Sequence, residues 1–330
     1  MALNEKTVVS AGSALVDLLV RVDAGWPERR GTRPGGMVNV DAAEIDAMLA
    51  EIPAAPEQVS GGSACNTIVG LSFLGAKCRF LGCVGDDARG EFFAASLRSR
   101  GVEGSLVRVE GARTGTCLSV ITPDAQRSMF TALEVSGRLA PEHLSDAFFD
   151  SADLLHLEGY LAFNAPAFRR VVAMAAERGT RISLDLSAWQ CVEACGDLFA
   201  EAMKNVDILI ANEDEAKAFT GKSAGEALEE MARMAPLAVV KLGAEGALVA
   251  RGDRRVVSRG IPVEAVDTTG AGDLWASGFL AGVLSGETLQ SAADFANLVG
   301  SEIVRVVGAH LPRETWERLV RHRNSARAGL

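Results

Sequence analysis

Short apolar runs without polar alternation recur along the 330 residues, separated by longer stretches whose apolar residues fall at helical spacing. Thr7 to Ala11, Cys78 to Val84, Asp153 to Leu157, Arg181 to Leu184, Asp207 to Ile210 and Ala238 to Leu242 have the Val, Ile and Leu content of strands buried on both faces. Ala64 to Leu74, Ala165 to Arg178, Asp214 to Thr220, Gly225 to Met234, Gly270 to Leu284 and Ser291 to Val306 read as helices that separate or follow them. Such alternation predicts an α/β chain with a mainly parallel sheet covered by helices.

Two stretches break the rhythm. Gly25 to Pro56 is rich in Pro and Gly around one predicted helix, Ala42 to Glu51. Thr116 to Thr122 and Gln126 to Ala132 read as paired strands around Pro123-Asp124. Strands inserted in a βαβ chain are natural material for a small β lid over the carboxyl edge of the main sheet, where open α/β sheets bind ligands. The expected organisation is one domain over 1–330, with a lid from about 15–60 and about 105–135 and a frayed tail from Arg321 to Leu330.

Composition narrows the partners. Hydrophobic residues at 48% and charged residues at 23% match a globular chain and argue against wholesale disorder. With 43 acidic against 33 basic residues, the formal charge of -10 opposes docking on nucleic acid or an anionic membrane. Tyr160 is the single tyrosine and aromatics are 5%, so stacking platforms for single strands are scarce. The uncharged stretch between Gln58 and Lys77 contains Ser60-Gly61-Gly62-Ser63 and Asn66-Thr67, too polar for a membrane span. Met1 to Ser10 lacks a signal-like apolar run, so a cytoplasmic location is expected. The six cysteines read as reduced core thiols; Cys191 and Cys195 lie one helical turn apart, without a second Cys/His pair to complete a zinc site.

The sharpest local signal is Asp267-Thr268-Thr269-Gly270-Ala271-Gly272-Asp273 ahead of the apolar helix from Leu274. Glycines on both sides of Ala271 let successive amides turn toward one point at a helix N-terminus, which makes an anion hole. A carboxylate in that first turn, Asp273, suits proton abstraction from a hydroxyl attacking a phosphoryl group. The plainer reading is a glycine-rich turn with an acidic helix start.

A second constellation favours the chemical reading. Ser60-Gly61-Gly62-Ser63-Ala64-Cys65-Asn66, Leu74-Gly75-Ala76, Phe80-Leu81-Gly82-Cys83-Val84-Gly85-Asp86-Asp87 and Gly90-Glu91 together resemble the first signature of the PfkB carbohydrate kinases. The run from Asp267 to Asp273 resembles the second, in the family's order. The chain therefore resembles the PfkB/ribokinase family from about Thr7 to Leu311. That resemblance implies a ribokinase-like fold and transfer of the γ-phosphate of Mg-ATP to a sugar or nucleoside hydroxyl.

Residue by residue, it implies that Asp273 is the catalytic base and that the amides of Gly270, Ala271 and Gly272 stabilise charge on the transferred phosphate. Asp17 matches the aspartate that binds sugar hydroxyls, and Gly61, Gly62 and Asn66 match the substrate-side loop. Asn212 and Glu215, in an Asn-x-x-Glu element, are implied to organise hydrated Mg²⁺, a cation that keeps several waters. Asp267 falls where some members bind a monovalent cation such as K⁺. Lys241, Gly243 and Gly246 match the loop near ATP, with Lys241 where the family usually has Thr. Asn297 aligns with a nucleotide-pocket asparagine, against the alternative of a helix-surface amide. The expected partners are ATP and a small-molecule sugar or nucleoside, with the chain a monomer or homodimer.

Thr114-Gly115-Thr116-Cys117, Thr122-Pro123-Asp124-Ala125-Gln126-Arg127-Ser128-Met129 and Leu157-Glu158-Gly159-Tyr160-Leu161 resemble the adenosine-kinase-like branch. Phe130 and Glu134-Val135-Ser136-Gly137 depart from it, so nucleoside and free sugar both stay open as acceptors. Phe130 could stack on a base or seal the lid, with packing the simpler reading. A different class of function, a nucleotide- or sugar-binding regulatory protein without turnover, is opposed by the retention of Asp273. Gly221-Lys222-Ser223 lacks the upstream glycine of a P-loop and reads as a helix stop and restart. His143, His156, His310 and His322 have no metal-ligand spacing, and His156 reads as a satisfied core histidine. Asp86-Asp87 and Glu229-Glu230 read as solvated faces.

Overall fold

A computed structural model of the chain describes residues 2–32, 36–123 and 127–328. The strands are β1 (Thr7–Ala11), β2 (Leu15–Arg21), β3 (Met37–Asn39), β4 (Glu57–Gly61), β5 (Lys77–Gly85), β6 (Val102–Val109), β7 (Gly115–Ile121), β8 (Arg127–Ala132), β9 (Leu154–Glu158), β10 (Arg181–Asp185), β11 (Ile208–Asn212), β12 (Leu237–Lys241), β13 (Gly246–Arg251) and β14 (Arg254–Arg259). The helices are α1 (Trp26–Arg29), α2 (Ala42–Glu51), α3 (Ser63–Phe73), α4 (Ala88–Ser99), α5 (Ala165–Glu177), α6 (Trp189–Ala202), α7 (Glu213–Thr220), α8 (Ala224–Met234), α9 (Ala271–Leu284), α10 (Leu289–Ile303) and α11 (Arg313–Ala328).

Among the described residues the large sheet has nine strands in the order β14-β13-β12-β11-β10-β9-β1-β5-β6, and every pair from β12 to β6 is parallel. Its strands carry apolar residues on both faces, which is why they read as unbroken runs. Val8, Leu154, Ile208 and Val239 pack with Phe279 of α9 and Val299 of α10. Leu155, Leu184, Leu209 and Val240 pack on the opposite side with Phe168 of α5 and Phe199 of α6. The expected helix-covered parallel sheet is therefore present, and its carboxyl edge is the natural place for a site.

The inserted strands form a second sheet, β3-β8-β7-β2-β4. One face buries Leu18, Leu118 and Phe130 against Trp26, Ile45 and Met48. The Phe130 ring lies 5.6 Å from Trp26, edge to face, so it seals this small sheet and does not face the cleft. The other face presents Asp17, Ser119 and Arg127 toward the large sheet, as the contacts below establish.

Residues 105–109, assigned to the lid, are the end of β6 and pair with β5 in the large sheet. The tail expected to fray from Arg321 is helical to Ala328, because Trp316 and Leu319 are buried and Arg323 donates to the Ala281 carbonyl and the Ser285 hydroxyl. In the Pro123-Asp124 turn, Asp124 to Gln126 lie outside the described residues. Gly221 does close α7 in the left-handed conformation, and Ser223 caps α8, so no phosphate loop exists there. His156 is buried with Nδ1 3.4 Å from the Ser183 hydroxyl, but its Nε2 has no partner, and burial lowers its pKa to about 4. The cysteines are free thiols, five buried and Cys195 half-buried. No helix among the described residues is long and apolar enough to cross a membrane.

Candidate active site

Register brings the first part of the site together. Glu158 at the end of β9 is paired with Asp185 at the end of β10, and Asn212 at the end of β11 with Lys241 at the end of β12. Four polar side chains thus finish four adjacent parallel strands at the carboxyl edge. The N-termini of α3, α7 and α9 add Ser63 and Asn66, Glu215, and Asp273.

Asp273 lies in the first turn of α9, whose N-cap, Gly270, has φ 70°. Its carboxylate accepts from the Ser63 hydroxyl at 2.7 Å and from Asn66 Nδ2 at 2.9 Å, while Thr67 donates to its carbonyl at 3.1 Å. Ser63 and Asn66 are three apart at the start of α3 and so share one face of it. Asn66, expected on the substrate loop, is thus in direct contact with Asp273. Burial raises the Asp273 pKa, aided by the Asp185 charge, against the lowering effect of the Ser63 and Asn66 bonds and of Lys241. Of the three amides expected in the anion hole, that of Ala271 donates to the Thr268 carbonyl at 3.2 Å. An anion held there would have to exchange for that bond.

On the small-sheet side, Asp17 is buried on β2, and burial raises its pKa to about 6 despite the nearby Arg127. A Cβ on Gly61 would come within 2.5 Å of the Asp17 carboxylate, and one on Gly62, at φ 99°, within 2.2 Å of the Ser13 carbonyl. Both glycines therefore let the β4–α3 turn close on the Gly12–Asp17 segment. Arg127 reaches down from β8: it donates to Ser119 at 2.7 Å and to Asp267 at 3.1 Å, and lies 3.7 Å from Asp17. The Asp267 carboxylate also accepts from the Thr269 amide, the Thr269 hydroxyl and the Gly308 amide. Burial acts to raise its pKa, but those bonds and the Arg127 charge hold it below the ordinary value. A K⁺ ion on this carboxylate would compete with a guanidinium already in place.

Glu158, to which its motif assigned no role, is buried at the end of β9. It accepts from the Ser13 amide at 2.9 Å and the Ala64 amide at 2.6 Å, tying β9 to the β1–β2 turn and to the start of α3. Burial raises its pKa to about 7. Glu158→Gln would turn an NH₂ toward one of those amides, and we expect a loss of about 1–3 kcal/mol in stability from the unsatisfied donors. Urea unfolding checks this; an unchanged midpoint would contradict the assignment.

At the end of β11, Asn212 and Glu215 form a reciprocal capping box on α7: each side chain accepts from the other's amide, and Asn212 Nδ2 donates to Glu215 at 2.7 Å. Burial raises the Glu215 pKa to about 7, against the Lys241 charge. Lys241 donates to Asp185 at 2.7 Å. Gly243 and Gly246 have positive φ and shape the turn from β12 to β13. Asn297 is buried, contrary to the helix-surface alternative: it accepts from Trp275 Nε1 at 2.7 Å and donates to Ser258 and the Arg259 carbonyl. It joins α9, α10 and β14. Among the described residues, no group of three His, Cys, Asp or Glu side chains is placed to hold a metal ion.

A model of the pfkB family carbohydrate kinases matches residues 37–316. The crystal structure of adenosine kinase from Sinorhizobium meliloti superposes with a TM-score of 0.87 at 33% identity, over 95% of this chain and 99% of that one. A probable sugar kinase from Rhizobium etli gives 0.88 at 28% identity over 99% of both chains. An ATP-dependent ribose-1-phosphate kinase from Halopiger xanaduensis is 30% identical over 299 residues, 89% of this chain and 90% of that one.

Proposed function

Because this chain belongs to the pfkB family of carbohydrate kinases, among whose relatives are sugar and adenosine kinases, we propose that it transfers the γ-phosphate of Mg-ATP to a hydroxyl of a sugar or nucleoside with Asp273 as general base. The observation that carries the reading is the setting of Asp273, aimed by Ser63 and Asn66 at the start of a helix whose first turn is Gly270-Ala271-Gly272. A pure binding site has no need of a carboxylate fixed beside an anion site.

Asp17 and Arg127 hold the acceptor's hydroxyls from the small sheet, and one hydroxyl meets Asp273. As that oxygen attacks the γ-phosphorus, its proton passes to Asp273; the elevated pKa brings this carboxylate closer to the optimum for a base at neutral pH. The positive end of α9 stabilises charge on the phosphoryl oxygens. Mg²⁺, when bound with ATP, would supply charge neutralisation for the transferred phosphate. Glu215 would be the acidic anchor of a hydrated ion bound mainly through phosphate, since among the described residues no group of three His, Cys, Asp or Glu side chains is placed to hold a metal by itself. A folded protein equally active with and without chelator would contradict this. The small sheet acts as a lid that excludes water during transfer. Substrate should slow hydrogen exchange in β2, β7 and β8, and exchange unchanged at saturation would count against closure.

Asp17, Ser119 and Arg127 share the cleft face of the lid with Leu19, Cys117 and Met129; the charged pair suits hydroxyls, and Phe130, turned away, offers no base a stacking surface there. The test is ADP release from Mg-ATP across nucleosides, pentoses, hexoses and keto-sugars. Metabolite binding without ADP formation across the panel would instead support the regulatory alternative.

A further inference from the structure

We propose that Lys241 is a catalytic residue that contacts the transferred γ-phosphoryl group, and that Asp185 is the positioning residue that aims it. This rests on the kinase reading above and gives a specific task to a residue whose sequence position indicates only nearness to ATP.

The first observation is direction. Lys241 ends β12, yet its side chain does not follow the Gly243–Gly246 turn. It crosses the sheet edge past β11 to Asp185 at the end of β10. The second is what it reaches: a Cβ on Gly272 would lie 3.2 Å from the ammonium nitrogen. Gly272 immediately precedes Asp273, so the ammonium sits at the first turn of α9, where an anion would meet the helix N-terminus. The third is charge. Asp185, Glu215 and Asp273 all act electrostatically on this buried ammonium. Three carboxylates around one phosphate site would repel a triphosphate, and Lys241 is the cation that the chain itself places among them.

Asp185 is held in turn. Its Oδ1 accepts from the Ser187 amide at 3.1 Å, which leaves Oδ2 for Lys241. Ser187 is a non-glycine residue at φ 67°, a conformation that costs energy and is retained here by the bond from the Gly159 amide to its hydroxyl at 2.8 Å. The turn at Ser187 thus occupies one Asp185 oxygen and leaves the other to the ammonium. In the transfer step a bond forms between the acceptor oxygen and the γ-phosphorus, and the bond from that phosphorus to the β–γ bridging oxygen breaks. The hydroxyl proton goes to Asp273. Lys241 keeps its protons and shifts from Asp185 toward a γ-phosphoryl oxygen.

The test compares ATP with ADP binding by calorimetry, which needs no acceptor, and adds kcat on any acceptor the panel yields. Lys241→Met should lower ATP affinity relative to ADP by about tenfold or more with ADP affinity nearly unchanged, and reduce kcat by about 10²–10³, the usual loss for one preorganised donor. Removing the cation alone strands Asp185, so Lys241→Met/Asp185→Asn is made as well and should fold normally. Asp185→Asn alone should reduce kcat less than Lys241→Met, and the double variant should lose no more than Lys241→Met, since Asp185 acts through Lys241. Equal loss of ATP and ADP affinity, or wild-type kcat in a folded Lys241→Met or double variant, would overturn the proposal and leave the kinase reading standing. Wild-type protein that binds neither nucleotide would overturn both.

Discussion

Asp273→Asn is expected to stay folded and bind ATP while kcat falls by about 10²–10⁴, the range for loss of a positioned acid/base group. The structure supplies a reason for retained folding. The new amide keeps an oxygen for the Ser63 hydroxyl, and its NH₂ can be met by Asn66, whose buried Oδ1 has no partner and can be presented by rotating the amide. The alternative, that Asp273 only stabilises the helix start, predicts a loss of about 0.5–2 kcal/mol with turnover per folded molecule unchanged. Melting temperature, ATP affinity and kcat on one preparation separate these outcomes. The pH profile adds a signed check. A carboxylate serves as a base only when ionised, and burial raises the Asp273 pKa, so with Asp273 as the base kcat should fall on acidification at a pH above the ordinary aspartate range. That limb should vanish from the residual activity of Asp273→Asn.

The second large effect concerns Arg127→Met. The guanidinium lies between Asp17 and Asp267, with both carboxylates and its own side chain nearly buried. Removing one partner of a buried ionic set typically costs about 3–5 kcal/mol. Asp267 keeps its bonds from Thr269 and Gly308, so Asp17 is the exposed weakness of the variant. Its pKa is already raised to about 6, and without Arg127 it rises further. For a carboxylate whose folded pKa exceeds its unfolded one, stability falls as pH climbs between the two values. Arg127→Met should therefore be less destabilised at pH 5 than at pH 8, as read by urea midpoints, together with a loss of acceptor affinity. An equal deficit at both pH values would contradict the Asp17 assignment.

The parallel core was legible because strands such as β1, β9 and β11 are buried on both faces and so appear as unbroken apolar runs. Strand β14 was not: Arg254-Arg255-Val256-Val257-Ser258-Arg259 is an edge strand carrying three arginines, and its partner β13 is separated from it by only Gly252 and Asp253. Helix α6 is interrupted at Cys195, which leaves helical φ/ψ, and the interruption blurs its periodicity.

In the site, motif order pointed to Asp273 and Asn66 separately. Their contact, across 207 positions of sequence, comes only from packing α3 against α9. Ser63 could have been found from its spacing to Asn66 on one helix face. Glu158 and Asp185 could not, because a carboxylate ending a strand acquires its role from neighbouring strands. The Asn-x-x-Glu element was legible as a pair, but the same spacing is that of a capping box, and the two readings coincide in Asn212 and Glu215.

The measurement that bears most directly on the account is transfer of label from γ-labelled ATP to the acceptor itself under single-turnover conditions, because ADP release alone can come from hydrolysis. The expected result is that wild-type protein with Mg²⁺ phosphorylates at least one sugar or nucleoside hydroxyl, and that Asp273→Asn, loaded with the same nucleotide and acceptor, is slower by about 10²–10⁴. Label appearing only as inorganic phosphate across the panel, or on the acceptor at the wild-type rate in folded Asp273→Asn protein, would contradict it.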